Sequence, residues 1–422
     1  MLVRKPSKKQ VQALVDRWGA LGGPSKCTVV ALAVDVKMSR TTCKDWLYDH
    51  AAFYGITLPV KLEKVLAPST KASAEDELRF KVKSLETMLS GYAKEELNSK
   101  YIRTQIFKLA EKTPSVPTWL SESKATKSSP GVPTLLCSDW HWGEVISPSQ
   151  VGGINSYDLK IAHARAKRVV TSTIDLLNNH MVNPQYPGFV LALGGDMVSG
   201  DIHDELKETN EIPLIPAVLD LFGVLIWVID TLANKFGKVF VPCVTGNHGR
   251  NTQKIRAKDR SFTSFDWMLY CLLERHFAAD TRITFMIPDG PDASYKVFGH
   301  SYLLTHGDQF RGGDGVIGAL GPIIRGDHKK RSRNGQIGMG YDTLLLGHWH
   351  QLIQMNRLIV NGSLCGYNEY AYAGNFPFET PKQALWVTHP QHGITFSMPV
   401  HVEPVVAKRD ANWVSVISTK GV

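Results

Sequence analysis

The chain has 422 residues, 43 % hydrophobic and 21 % charged, which is ordinary for a soluble globular protein and suggests two or three domains. No apolar run approaches the ~20 residues that span a bilayer, and the basic start MLVRKPSKKQ leads into no apolar leader core, so the reading is a cytoplasmic protein with no membrane partner. The formal net charge of +9 favours an anionic partner, nucleic acid first and DNA before RNA; the plainer alternative is a basic soluble enzyme.

Residues 1–60 carry nine Lys/Arg against four Asp/Glu. A first helix is expected over 8–20 and a second around 29–36. Lys37 and Met38 then form a tight turn, and Ser39 is the N-cap of a third helix through Trp46 and Leu47. Helix, turn and helix, with Arg40, Thr41, Thr42 and Lys44 outward, resemble a helix-turn-helix module, whose second helix enters the major groove. The usual glycine is missing from the turn. The alternative is a small helical protein-interaction domain.

Residues 61–131 read as a helical segment followed by a Pro/Ser/Lys linker. Ser73 and Asp76 suggest a capping box. Leu78, Val82, Leu85, Leu89 and Tyr92 follow a coiled-coil-like spacing that permits a homo-oligomer through 73–112. From 132 to 405 short apolar runs alternate with helices expected at 156–181, 212–236 and 263–277, the pattern of a layered α/β domain with buried strands. Residues 406–422 form a tail. The six cysteines (Cys27, Cys43, Cys137, Cys243, Cys271, Cys365) are scattered without a CxxC, which reads as reduced thiols.

Each apolar run in the third region ends in residues able to bind metal. PTLLCSDWH supplies Asp139 and His141, LALGGD supplies Asp196, and CVTGNH supplies Asn247 and His248. LLTHGD supplies His306, and LLLGHWH supplies His348 and His350. Ligand sites of open α/β sheets form at such carboxyl ends. The two histidines of GHWH, two residues apart, would point the same way from extended backbone. A mix of Asp, Asn and His without thiolate suits Mn, Fe or Zn. Two such ions ~3.5–4 Å apart make the clamp used in phosphoester hydrolysis.

The ordered motifs Asp139-Trp140-His141, Gly195-Asp196, Gly246-Asn247-His248, His306-Gly307 and Gly347-His348-Trp349-His350, followed by Asn361-Gly362-Ser363, resemble those of the calcineurin-like metallophosphoesterases. The resemblance spans 132 to about 400 and implies a four-layer α/β/β/α sandwich behind an N-terminal all-α helix-turn-helix-like domain. It implies that Asp139, His141 and His350 hold one divalent ion, most simply Mn²⁺, and that Asn247, His306 and His348 hold a second. Asp196 would bridge them. His248 would face the phosphate and protonate or stabilise the leaving oxygen, with a metal-bound hydroxide as nucleophile.

The substrate has to be read elsewhere. Ser/Thr phosphatases of this family extend the second and third motifs with arginines that are absent here. Two cationic segments adjoin the motifs instead: Arg250, Lys254, Arg256, Lys258 and Arg260, and then Arg311, Arg325, Lys329, Lys330, Arg331 and Arg333 in a glycine-rich stretch. A polyanion running past the metals fits both, so the expectation is a DNA nuclease, exonuclease-like, with 311–340 as a mobile flap. The composite has the look of a phage or prophage protein, in a bacterial or infected cell. A phosphoesterase for small phosphoesters or nucleotides, or a DNA-binding scaffold, are the alternatives. His203, and with it Asp201, could face substrate. Trp140, Trp142 and Trp349 either cover the site or stack on a base. His163, His180, His276, His389 and His401 read as surface or structural.

Overall fold

The computed structural model describes residues 6–21, 27–51, 54–58, 115–120, 131–312 and 318–403. The coiled-coil-like stripe at 73–112 and the tail at 406–422 lie outside the described residues. The chain divides into two compact units, Met1–Ala93 and Lys94–Val422.

In the first unit α1 spans Lys8–Ala20 and α2 spans Val29–Asp35. Helix α3 spans Arg40–Asp45 and continues through a π-helical turn, Trp46–His50. Each start is capped. Ser7 and Gln10 form a capping box, Thr28 Oγ1 accepts from Ala31 N, and Ser39 Oγ accepts from Thr42 N, which satisfies amide donors that no helix bonds internally. The missing turn glycine is replaced by Lys37, which adopts φ 53°. Val11, Leu14, Trp18, Leu32, Cys43 and Leu47 form the core, and Arg17 clamps Asp35 through two bonds of 2.8 and 2.9 Å. Arg40, Thr41 and Lys44 are exposed on α3.

The second unit holds two sheets. The first contains β1 (Val132–Cys137), β2 (Phe189–Leu193), β3 (Val239–Pro242) and β4 (Ile283–Met286), all parallel, extended by antiparallel β10 (Lys382–His389) and β11 (Gly393–His401). Its order is β11-β10-β1-β2-β3-β4. The second contains β5 (Asp292–Val297), β6 (His300–Thr305), β7 (Thr343–Leu346), β8 (Ile353–Met355) and β9 (Leu358–Val360). Its order is β5-β6-β7-β9-β8.

The period of two along these strands builds the layers. On β2, Phe189, Leu191 and Leu193 face helices α4 (Leu159–Asn179), α6 (Leu214–Phe236) and α7 (Phe265–His276), while Val190 and Ala192 face the second sheet. On β7, Leu345 faces the first sheet, whereas Leu344 and Leu346 pack toward α8 (Leu320–Gln336). The result is an α/β/β/α sandwich. Two short helices, α5 (Asp204–Thr209) and α9 (Glu369–Ala373), lie in loops.

Two expectations are corrected. Helix α6 has mean hydropathy 2.0 over a membrane-length span, even though Asp220 and Asp230 interrupt its apolar run. Here Leu221, Leu225, Val228, Ile229 and Leu232 are buried in the helix-to-sheet core, and Asp220 accepts from Trp142 Nε1 at 2.8 Å. The glycine-rich stretch is also no open flap beyond 319, because it forms α8 despite Gly321, Gly326 and Gly335. Gly326 has a packing reason: a Cβ there would lie 2.4 Å from the Phe310 ring.

Candidate metal centre

The donor residues follow the carboxyl ends of β1, β2, β3, β6 and β7. Five of them adopt left-handed backbone: Asp139 (φ 56°), His141 (45°), Asp196 (50°), His348 (69°) and His350 (52°). Non-glycine residues rarely do so, and such strain persists only where the surroundings over-determine it. Interlocking loops do that here. Asp139 N donates to Gly195 O and His141 N to Asp196 O, both at 3.1 Å, Gly347 N donates to His306 O at 2.9 Å, and Leu364 N donates to Asp139 O at 3.0 Å. The expectation of extended backbone between His348 and His350 is therefore wrong, and the kinked loop sends the two rings to different donor groups.

His141 Nε2 lies 3.1 Å from His350 Nε2, and His350 Nε2 lies 3.4 Å from Asp139 Oδ1. The second group is Asp196, His306 and His348, with donor atoms within 4.8 Å of one another. His306 Nε2 stands 2.9 Å from Asp196 Oδ2. Asp196 also groups with His141 and His248, so one carboxylate serves both sides. His306 Nδ1 donates to Gly194 O and His248 Nδ1 to Ser199 O, each at 2.8 Å. Those bonds fix both tautomers and leave the Nε2 atoms for the site.

The donor set fits divalent cations. Asn247 Oδ1 is buried without a hydrogen-bond partner, an arrangement that costs free energy unless a ligand completes it. Burial works to lower the His306 imidazole, and Asp196 more than reverses this, raising it to about 10. Burial works to raise the Asp196 carboxyl, and His306, His248 and His141 hold it well below the usual range. Burial, reinforced by His306, lowers His348 to about 4. A cation held by Asp196 and His306 would meet the negative charge that draws a proton to His306, and binding it would release that proton.

Several supporting residues carried no signal strong enough to be singled out from sequence. Asp266, at the start of α7, is fully buried and accepts backbone N–H bonds from Asp196 (3.1 Å), Met197 (3.3 Å) and Gly246 (2.9 Å). Burial, with Asp196 nearby, raises its carboxyl to about 6. Glu144 Oε2 stands 3.5 Å from His141 Nδ1, and burial raises this carboxyl to about 7. Asn361 donates to Ser138 Oγ, which in turn donates to Asp139 Oδ2. Cys365 brings a buried thiol to the His141/His350 pair. All six cysteines are buried and none is in a disulfide.

The cations divide by environment. A cleft of about 550 Å³ is lined by Arg256, Arg260, Arg311, Arg325, Lys329, Lys330 and Arg333, with Phe310 and, among the described residues, no carboxylate in its wall. A smaller hollow shares Ile255, Arg256 and Arg260 with it and reaches Asn247 and Arg250. Within this wall Arg260 pairs with Asp308, and Lys330 and Arg333 pair with Asp292. Arg250 braces the loop by donating to Asn247 O (2.7 Å) and Thr252 O (3.0 Å). Arg331 is placed otherwise than expected: it bonds Asp327 and the carbonyls of Tyr341, Asp342 and Arg357, and lies 4.4 Å over the Tyr341 ring. Lys254 is exposed outside both hollows, and exposed His203 precedes α5 and joins no donor group. Trp140 and Trp142 are fully buried, which removes them as base-stacking surfaces. Trp349 packs edge-on to His348 at 5.7 Å.

No protein-family model matches the chain, and no curated protein does. Among solved structures it is similar to a Vps29 single mutant from Entamoeba histolytica, with 13 % identity, 63 % of this chain and 98 % of the other covered, and a TM-score of 0.27. It is also similar to a conserved predicted phosphoesterase from Streptococcus pneumoniae, with 10 % identity, 63 % and 95 % covered, and a TM-score of 0.24. A third is the sulfate thiohydrolase SoxB from Thermus thermophilus, with 11 % identity, 66 % and 58 % covered, and a TM-score of 0.27. The motifs stand in order at the strand ends of an α/β/β/α sandwich and bring their donors together, which is the arrangement that the resemblance to calcineurin-like metallophosphoesterases implied.

Proposed function

We propose that the chain is a metal-dependent phosphodiesterase that cleaves nucleic acid, DNA in preference to RNA. Asp139, His141 and His350 would hold one divalent ion, and Asn247, His306 and His348 a second, with Asp196 shared; Mn²⁺ suits this oxygen and imidazole mix. The chemistry such a pair supplies is neutralisation of phosphate charge and activation of water. His248, its Nδ1 committed to Ser199 O, presents Nε2 to hold or donate a proton at the leaving oxygen. In the first unit, α3 with exposed Arg40 and Lys44 is the proposed DNA-reading helix.

The observation that carries the substrate class is the cationic cleft and its approach to Asn247. A wall of seven guanidinium and ammonium groups, three of them paired with Asp308 or Asp292 by salt bridges among the described residues, suits successive phosphates better than one small phosphoester, because each contact adds counterion release. The test gives purified protein and Mn²⁺ linear duplex DNA, single-stranded DNA and bis-p-nitrophenyl phosphate. Degradation of DNA that is lost in Asp196→Ala supports the proposal. Dye release without DNA degradation places the activity on small phosphoesters, and DNA binding with neither activity makes the fold a scaffold.

A further inference from the structure

We infer that the aromatic segment from Tyr367 to Phe378 is a stacking platform for unpaired bases, which makes single-stranded nucleic acid the substrate; this rests on the nucleic-acid reading above. The segment GYNEYAYAGNFPF carries five rings. Tyr370 is 76 % exposed, and Tyr372, Phe376 and Phe378 are about half exposed. The rings are arranged, since Tyr370 meets Phe376 at 5.6 Å and Tyr367 meets Phe378 at 5.5 Å, both edge-on. Tyr367 Oη donates to Phe376 O at 2.7 Å, closing the segment on itself. Exposed aromatic clusters of this kind mark a binding surface.

Both ends of the segment are tied to the donor cluster. Asn368 donates to Glu144 Oε1 at 2.9 Å, and the other oxygen of Glu144 stands 3.5 Å from His141 Nδ1. At the far end Glu379 accepts from Leu352 N at 2.8 Å, two residues beyond His350. The rings therefore flank the His141/His350 side of the centre, while the smaller hollow that adjoins the cationic cleft reaches the Asn247 side.

Charge identifies the occupant. There is no Lys or Arg from 358 to 381, and Glu369 and Glu379 lie in or beside the ring segment. An anionic membrane gains nothing there, and phosphates are directed to the cleft instead. A strand crossing the centre thus meets cations on one side and ring faces on the other, the combination used to hold single strands. In a duplex the base faces are already stacked, so only unpaired bases can use the rings.

The test is fluorescence anisotropy with chelated full-length protein and three labelled probes: a mixed-sequence single strand, an abasic strand of equal length, and a duplex. The wild type should bind the single strand about tenfold more tightly than the abasic strand, as expected from stacking worth ~1–3 kcal/mol per base. In Tyr370→Ala/Phe376→Ala that ratio should fall toward one, with affinity for the abasic strand retained, which also shows that the variant is folded. Equal wild-type affinity for single and abasic strands, or an unchanged ratio in the variant, overturns the platform while leaving the nuclease reading intact. A change of oligomeric mass in the variant by light scattering also overturns it, assigning the rings to a second copy of the chain. Binding of no probe at low salt overturns both.

Discussion

Replacing Gly246 by alanine adds one methyl group at the narrowest point of the centre. The new Cβ would lie 2.0 Å from Asp196 Oδ1 and 2.3 Å from Asp196 N, more than an ångström inside an ordinary contact of ~3.5 Å. Either the Asp196 loop or the turn carrying Asn247 must move by ~1 Å, where productive sites tolerate roughly 0.5 Å. A displacement of that size costs about 100-fold in rate. Overpacking should cost only ~1–3 kcal/mol in stability, so the variant stays folded. The control is Gly223→Ala in α6, where a Cβ meets nothing within 4 Å and alanine should add up to ~1 kcal/mol of stability. Mn²⁺-supported hydrolysis of bis-p-nitrophenyl phosphate, read beside urea unfolding, measures both. Activity within threefold of wild type in Gly246→Ala would refute the shared role of Asp196.

Further predictions follow the same geometry. Asp266→Ala strands three buried N–H groups at about 1–3 kcal/mol each; Asp266→Asn, which keeps one oxygen acceptor, should lose less in a thermal melt. Asp292 is worked upward by burial, but Lys330 and Arg333 hold its carboxyl below 3.8. Its contribution is therefore present above the unfolded value and lost as pH falls through the folded one. Asp292→Asn should cost roughly 2 kcal/mol at pH 7, with the deficit shrinking below pH ~3.8, as urea unfolding at pH 7 and pH 3 would show. Arg311→Ala with Lys329→Ala should reduce the slope of log affinity against log salt for single strands by about 0.7 for each phosphate no longer neutralised; an unchanged slope removes the cleft from the strand's path. Mn²⁺ at 100 times its Kd should stabilise the chelated protein by about 2.7 kcal/mol for each site filled, and Asp196→Ala should lose most of that gain.

The catalytic fold was readable because each motif is local: an apolar run and its donors lie within a few residues, so strand, turn and ligand are written together. Helices α4, α6 and α7 fell within two or three residues of their expected bounds for the same reason. What long-range contact builds was hidden. Asp266 lies 70 residues from Asp196, and nothing in Phe-Asp-Trp announces an acceptor for three amides. The left-handed φ at His348 and His350 depends on neighbouring loops, so a pattern of alternate residues could not reveal it. The place of Arg331, by contrast, was legible. Arg325, Lys329 and Arg333 are four apart and share a helical face, which puts Arg331 on another; the glycines of this stretch obscure that periodicity.

The pairing of two ions through Asp196 is the claim on which the reaction rests. Equilibrium dialysis against Mn²⁺, with metal counted per chain by mass spectrometry, tests it most directly. Two Mn²⁺ per wild-type chain are expected, with a loss of tight binding at both sites in Asp196→Ala. One ion per chain, or two ions undisturbed by Asp196→Ala, would contradict it.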